Sequence, residues 1–228
     1  MTRLHRSRLL FGDQGIERLQ NATVMVVGCG AVGSFAIESL ARTGVGHLII
    51  VDFDNVEESN INRQLFALES TLGMPKVAVA SARIHDINPS IKVDALNLFF
   101  DSSTALSVLP DYIIDAIDTV ESKVALYHWA HKNNIPLISS MGAASKTDIS
   151  KLKIAPLSQT SVCPLASRMR KLVRNTDLPD IPVVYSTETP VPVHGHAKNL
   201  GSTVTVTGTV GMLLANWVIQ NIVQDIKL

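Results

Sequence analysis

The run Gly28-Cys29-Gly30-Ala31-Val32-Gly33 does most to restrict what this chain can become. It follows TVMVV at 23–27, a continuous apolar stretch rich in β-branched residues. Such a stretch suits a parallel strand buried on both faces. Directly after the glycines, residues 34–43 place Phe35, Ile37, Leu40 and Ala41 at helical spacing, with Gly44 as the stop. Residues 47–51 then read as a second strand, ending in Asp52. A strand, a glycine loop, a helix and a second strand within about 30 residues form a unit that binds nucleotides. Its glycines allow the tight turn and let the backbone approach a phosphate resting on the helix N-terminus. Gly28, Gly30 and Gly33 are therefore candidate nucleotide contacts. The competing reading, a glycine turn without a ligand, is disfavoured by the clean strand before it and the clean helix after it. Cys29 reads as a small buried filler of the loop.

The alternation continues. Helices are expected from Pro75 to about residue 87, at 102–108 and at 121–133; strands at 91–96, 112–117 and 137–140. An α/β fold follows: a doubly wound, mainly parallel, Rossmann-like sheet. Beyond Gly142, strands at 152–155 and 183–186, a helix at 165–174 and a final helix suggest a smaller C-terminal lobe continuous with that sheet. Residues 1–228 read as one domain, with a nucleotide-binding core at 22–142 and the lobe and closing helix at 143–228. A 46% hydrophobic and 18% charged composition fits a folded chain. The formal net charge of +0 lends no support to wholesale nucleic-acid binding and leaves room for a local basic patch. With two cysteines and no CxxC pair, neither a disulfide framework nor an all-cysteine zinc site can be built. No signal peptide is recognised at the N-terminus, so a cytoplasmic protein is expected. The apolar run 203–223 has the length of a membrane span. Its Thr and Gly residues, with Asn216, Gln220 and Asn221, favour a helix buried behind the sheet.

Asp52 stands where a carboxylate accepts ribose hydroxyls, which suits NAD as well as ATP. Asp54 adds a second carboxylate on the nucleotide side. The polar run 52–64 brings Asn60 and Arg63 just past the sheet edge, and Lys76 opens the next helix. Adenylyl transfer builds negative charge on the α-phosphate and on departing pyrophosphate, and Arg63 and Lys76 are placed to meet it. An NAD-dependent oxidoreductase would leave both cations unexplained. Asp118, in YIIDAIDTVESK, is expected at the carboxyl end of a strand, where it can hold Mg2+ against phosphates. Asp115 inside that strand ranks lower, as a structural hydrogen-bonding group.

Together GCGAVG, DFDNVEESNINRQ, GMPKV, INP and DAIDTVESK closely resemble the ubiquitin-activating-enzyme-like adenylyltransferases over about residues 6–142. The resemblance implies ATP and Mg2+ as cofactors and Asp52 as the ribose ligand. It also implies phosphate contacts from Asn60, Arg63 and Lys76, with Asp118 on the metal. It further implies a homodimer in which an N-terminal arginine, matched by Arg8 in RSRLLFG, reaches the other subunit's ATP. PLASRMRK, VVYSTETP and the glycine-led final helix look like the branch that dehydrates threonylcarbamoyladenosine in tRNA. That branch activates a carboxylate, and a nucleophile of the same modification closes a ring. The alternatives are an activator of a ubiquitin-like sulfur carrier and a non-catalytic nucleotide-binding module among cysteine-desulfurase sulfur-relay proteins.

Other features carry less. Cys163 precedes a helix and is a candidate thiol, but no base is evident near it, so an ordinary cysteine is the favoured reading. Arg168, Arg170, Lys171 and Arg174 form the clearest basic cluster: either a grip on tRNA phosphates or the solvated face of a helix. The short loop at 188–201 holds His194, His196 and Lys198, read as loop residues and not as metal ligands.

Overall fold

Seven strands form one sheet in a computed structural model that describes residues 3–192 and 200–224. The apolar runs become its interior: β1 (Thr23–Val27), β2 (His47–Val51), β4 (Tyr112–Asp115) and β5 (Leu137–Ser140) are almost wholly buried. β3 (Lys92–Leu96) and β6 (Leu152–Pro156) are the edges, and β7 (Pro182–Ser186) lies inside β6. The order is β3-β2-β1-β4-β5-β7-β6, parallel throughout except for the β6–β7 pair. Exposed Lys92 and Lys153 on the two edges discourage pairing with another chain.

Period-two alternation divides the strands between two cores. Val24, Val26, Leu48 and Ile50 face α1 (His5–Asn21), α2 (Gly33–Thr43), α3 (Lys76–Ile87) and α6 (Val204–Val223). Met25, Val27, Ile49 and Ile113 face α4 (Val120–Lys132) and α5 (Pro164–Val173). Among the described residues α6 is the one helix long and apolar enough to cross a membrane. Here it packs against α2, α1 and β5, burying Val206, Val210, Leu214 and Val218.

The chain moves outward through β1, β2 and β3, then crosses back to place β4 on the other side of β1. The crevice at the carboxyl ends of β1 and β4 is the switch point where such sheets bind ligands. Val27 sits opposite both Val51 and Asp115, so Gly28, Asp52 and Ala116 leave the sheet at one level.

Two expected elements differ. Residues 102–108 are irregular rather than helical. The Asp101 carboxylate accepts the N–H and hydroxyl of Ser103, and the Thr104 hydroxyl accepts the Asp101 N–H, closing a turn that competes with a helix. Strand β4 stops at Asp115 rather than 117, because Asp115 Oδ1 takes the Ile117 N–H at 3.0 Å and turns the chain away.

Candidate active site

The loop after β1 is shaped by its glycines. Gly28 has φ 98°, and a Cβ there would lie 2.6 Å from the Ala116 carbonyl oxygen. A Cβ at Gly33 would lie 1.7 Å from the Gly28 oxygen, so no side chain fits where α2 begins. Gly30 is different: a Cβ there would meet the Gln64 side chain at 3.7 Å, an ordinary contact, so a side chain would fit without a clash. Asp52 binds the loop to β2, accepting the Cys29 N–H at 2.6 Å on one oxygen and the Asp54 N–H at 2.8 Å on the other. Each oxygen keeps a further lone pair for a hydroxyl.

Lys76 opens α3 with its side chain only 6% exposed, and its Nζ lies 2.7 Å from Asp54 Oδ2, a half-exposed carboxylate. The backbone repeats the link, Lys76 N–H to Asp54 C=O at 3.0 Å. Burial pushes the Cys29 thiol well up, the Asp52 charge adds to this and the Lys76 charge opposes it. The thiol is therefore protonated, and the Lys76 ammonium acts on the glycine loop. Asn60 is buried, and its Oδ1 accepts the Glu57 N–H at 3.2 Å, which shapes the turn carrying Arg63. Arg63, partly exposed, donates to Ser59 O and Asn62 Oδ1, both at 2.7 Å.

Asp118 lies three residues past β4, exposed, with one oxygen 3.3 Å from the Thr119 hydroxyl. Among the described residues no group of three or more His, Cys, Asp or Glu gathers for a metal. Arg8 is exposed on α1, ahead of the kink at Gly12, and pairs with Asp13. The basic cluster is partly committed within the chain. Arg168 pairs with Glu121 at 3.0 Å and Arg170 donates to Thr160, while Lys171 and Arg174 remain exposed. Cys163 is buried as the N-cap of α5, its Sγ accepting the N–H groups of Gly142 and Ala166. His194, His196 and Lys198 lie outside the described residues.

The sequence model of the ThiF family matches residues 4–227. The chain belongs to the ThiF family. Within it, the chain is 40% identical to a tRNA threonylcarbamoyladenosine dehydratase of Bacillus subtilis (strain 168), over 98% of this chain and 95% of that protein. The Escherichia coli (strain K12) protein of the same name is 37% identical over 73% of this chain and spans 63% of its own length in the match. The crystal structure of the E. coli tRNA N6-threonylcarbamoyladenosine dehydratase TcdA in complex with ATP superposes with a TM-score of 0.91 at 31% identity, covering 98% of this chain and 94% of that one.

Three parts of this ThiF-family site escape a reading of the sequence. Gln64 lies over Gly30, and the buried Ser34 hydroxyl accepts the Leu65 N–H at 3.1 Å, tying α2 to the segment after Arg63. Both stand inside recognised motifs, but nothing in their spacing tells which way they point. The third is a wholly buried ion pair, Lys123 to Asp115 at 2.9 Å. Its eight-residue separation crosses a strand end and a helix start, so no periodic signal exposes it.

Proposed function

We propose that this chain is an ATP-dependent dehydratase that adenylates the carboxylate of N6-threonylcarbamoyladenosine in tRNA and promotes its cyclisation. One observation carries the reading: a glycine loop that tolerates no side chain at Gly28 or Gly33, the Asp52 carboxylate and the buried Lys76 cation meet at the switch point. They do so in a chain that matches the B. subtilis dehydratase nearly end to end.

The chemistry balances as follows. A carboxylate oxygen attacks the α-phosphorus of ATP, and the bond to the bridging oxygen breaks, releasing pyrophosphate. A nucleophile of the same modified nucleoside then attacks the activated carbonyl, loses its proton and expels AMP. The carboxylate oxygen leaves within AMP, so the nucleoside loses the elements of one water. Because the second nucleophile is already tethered to the acyl group, it enjoys a high effective molarity and no enzyme thiol is needed. Both cysteines of the chain are buried and serve the fold, which agrees with that route.

In this scheme Asp52 accepts the ribose hydroxyls and the loop at Gly28, Gly30 and Gly33 cradles phosphate. Lys76 and Arg63 meet the growing charge on phosphate. The two acceptors that hold Arg63 are uncharged, so a phosphate oxyanion competes well for it. Asn60 acts by fixing that turn, and Asp54 by holding Lys76. Asp118 is the residue to hold Mg2+, which needs one or two carboxylates beside phosphate oxygens and water. The ion supplies charge neutralisation on the phosphates. A homodimer is part of the proposal. Arg8 stands beside Leu9 and Leu10, which are 71% and 81% exposed on α1, and would reach the second subunit's ATP. Lys171 and Arg174 are the cations left to meet tRNA phosphates.

A heavy-oxygen label in the carboxylate of the modified tRNA tests the route. Labelled AMP is expected; unlabelled AMP would exclude adenylation of that carboxylate.

A further inference from the structure

The Asp115–Lys123 pair has no role in the scheme above, yet it lies directly beneath it. Both side chains are fully buried. The Lys123 ammonium gives all three protons to partners: Asp115 Oδ2 at 2.9 Å, the Ser140 carbonyl at 2.9 Å and Ser139 Oγ at 3.2 Å. Ser139 Oγ in turn donates to Asp115 Oδ2 at 2.6 Å. The node thus joins the end of β4, the end of β5 and the first turn of α4. A buried ion pair is weak evidence for stability, since the cost of desolvating two charges offsets their attraction. A hydrophobic pair would fill the space as well, so its use is sought in what it holds.

It holds the segment that carries Asp118. Asp115 Oδ1 takes the Ile117 N–H at 3.0 Å, which ties one end of 117–119 to the pair. The other end, Thr119, is the N-cap of α4, the helix whose first turn Lys123 anchors to β4 and β5. Ala116, between Asp115 and Ile117, donates its N–H to Val27 C=O at 2.9 Å. Its carbonyl faces Gly28 so closely that a Cβ there would stand 2.6 Å away, and its Cβ lies 3.3 Å from the Cβ position of Gly33. The glycine loop therefore packs on Ala116 and Ile117, the two residues that lead from β4 into Asp118.

We infer that Lys123, through Asp115 and Ser139, is a positioning residue for the adenylation step, fixing the Ala116–Asp118 segment against the glycine loop. The inference rests on the proposed ATP-dependent reaction and adds to it a residue that touches neither nucleotide nor metal. Lys123 acts on geometry, so its loss lowers turnover more than ATP affinity.

The double variant Asp115→Asn/Lys123→Met removes both charges together and leaves no unpaired ion in the core. Its melting temperature should stay close to that of the wild type. ATP affinity should fall only slightly, whereas kcat for tRNA dehydration falls about 100-fold, the scale of a misplacement of roughly 1 Å. A double variant with kcat within about twofold of wild type overturns the inference, because the pair would then serve the fold alone. If the double variant does not fold, Ser139→Ala decides the matter. It keeps the ion pair, and a kcat about tenfold lower at unchanged KM for ATP supports the positioning role, while an unchanged kcat overturns it. Amide hydrogen exchange separates this inference from the functional proposal. At Ile117 of the ligand-free protein, whose N–H is held by Asp115, exchange should quicken by about tenfold in whichever variant folds, and unaltered exchange overturns the inference. If the wild type binds ATP but leaves tRNA unchanged, the functional proposal fails and the exchange result alone decides the support role.

Discussion

Asp52 accepts the backbone N–H of Cys29 at 2.6 Å, so the carboxylate that ends β2 also fastens the glycine loop that ends β1. One side chain thereby sets the loop's shape and, in the proposed site, also accepts the ribose hydroxyls. Asp52→Ala should lower stability by about 1–3 kcal/mol through the two N–H groups it orphans. It should also weaken ATP binding by about tenfold or more. Urea denaturation and calorimetric titration measure the two effects. A stability loss with unchanged ATP affinity would reduce Asp52 to an anchor.

Gly30 and Gly33 differ in what an added methyl would meet, and the proposed phosphate site makes that difference testable. Gly33→Ala drives a methyl into the Gly28 oxygen and should cost about 3 kcal/mol or more. Gly30→Ala meets nothing closer than 3.7 Å, so stability should change by about 1 kcal/mol at most while ATP affinity falls. If Gly30→Ala binds ATP as the wild type does, the phosphates do not lie over this loop.

Lys76→Met leaves Asp54 able to reach solvent, so little stability should be lost. Turnover should drop by about 100-fold to 1000-fold, as when one charge-stabilising group is removed from a transition state. Wild-type turnover in Lys76→Met would break the assignment of this cation to the phosphates.

Glu38 joins α2 to α3. Burial acts to raise its carboxyl, but hydrogen bonds and charge from Arg83 and Arg42 outweigh that and hold it below the ordinary carboxylate range. A carboxyl lowered on folding adds stability above its unfolded value and loses it as pH falls through the folded one. Wild type should therefore exceed Glu38→Gln by up to about 1 kcal/mol at neutral pH, as expected for a partly exposed pair. The gap should close in acid, when both are denatured with urea across a pH series. A gap constant with pH would mean that the Glu38 charge contributes nothing.

A chain with both Cys29→Ala and Cys163→Ala should keep its dehydratase activity within about threefold, since no thiol takes part in the proposed route. Some stability should be lost, because Cys163 Sγ caps α5. Abolished turnover in a folded cysteine-free chain would point to a thioester intermediate.

Much of this was legible in the residues. The apolar run at 23–27, the glycines and the carboxylate at 52 specify a strand, a turn and a second strand by local physics alone, and the structure places the glycines and Asp52 together at the carboxyl ends of two neighbouring interior strands. Lys76 was readable from its place at a helix start, but its burial and its bond to Asp54 come from the bridge between Asn55 and Pro75. The irregular crossover at 102–108 was not readable, because its apolar spacing suits a helix and the Asp101 turn wins through side-chain hydrogen bonds. Asp118 gave its type but not its place, since the early end of β4 depends on Asp115. The Lys123 node needed β5 beside β4 before any part of it had meaning.

The central claim is tested most directly by mass spectrometry of the nucleosides from tRNA carrying threonylcarbamoyladenosine, after incubation with the protein, ATP and Mg2+. Loss of one water from that nucleoside, only when ATP is present, is the predicted result. An unchanged nucleoside, together with AMP and pyrophosphate formed only when a carrier protein with a diglycine tail is added, would contradict it.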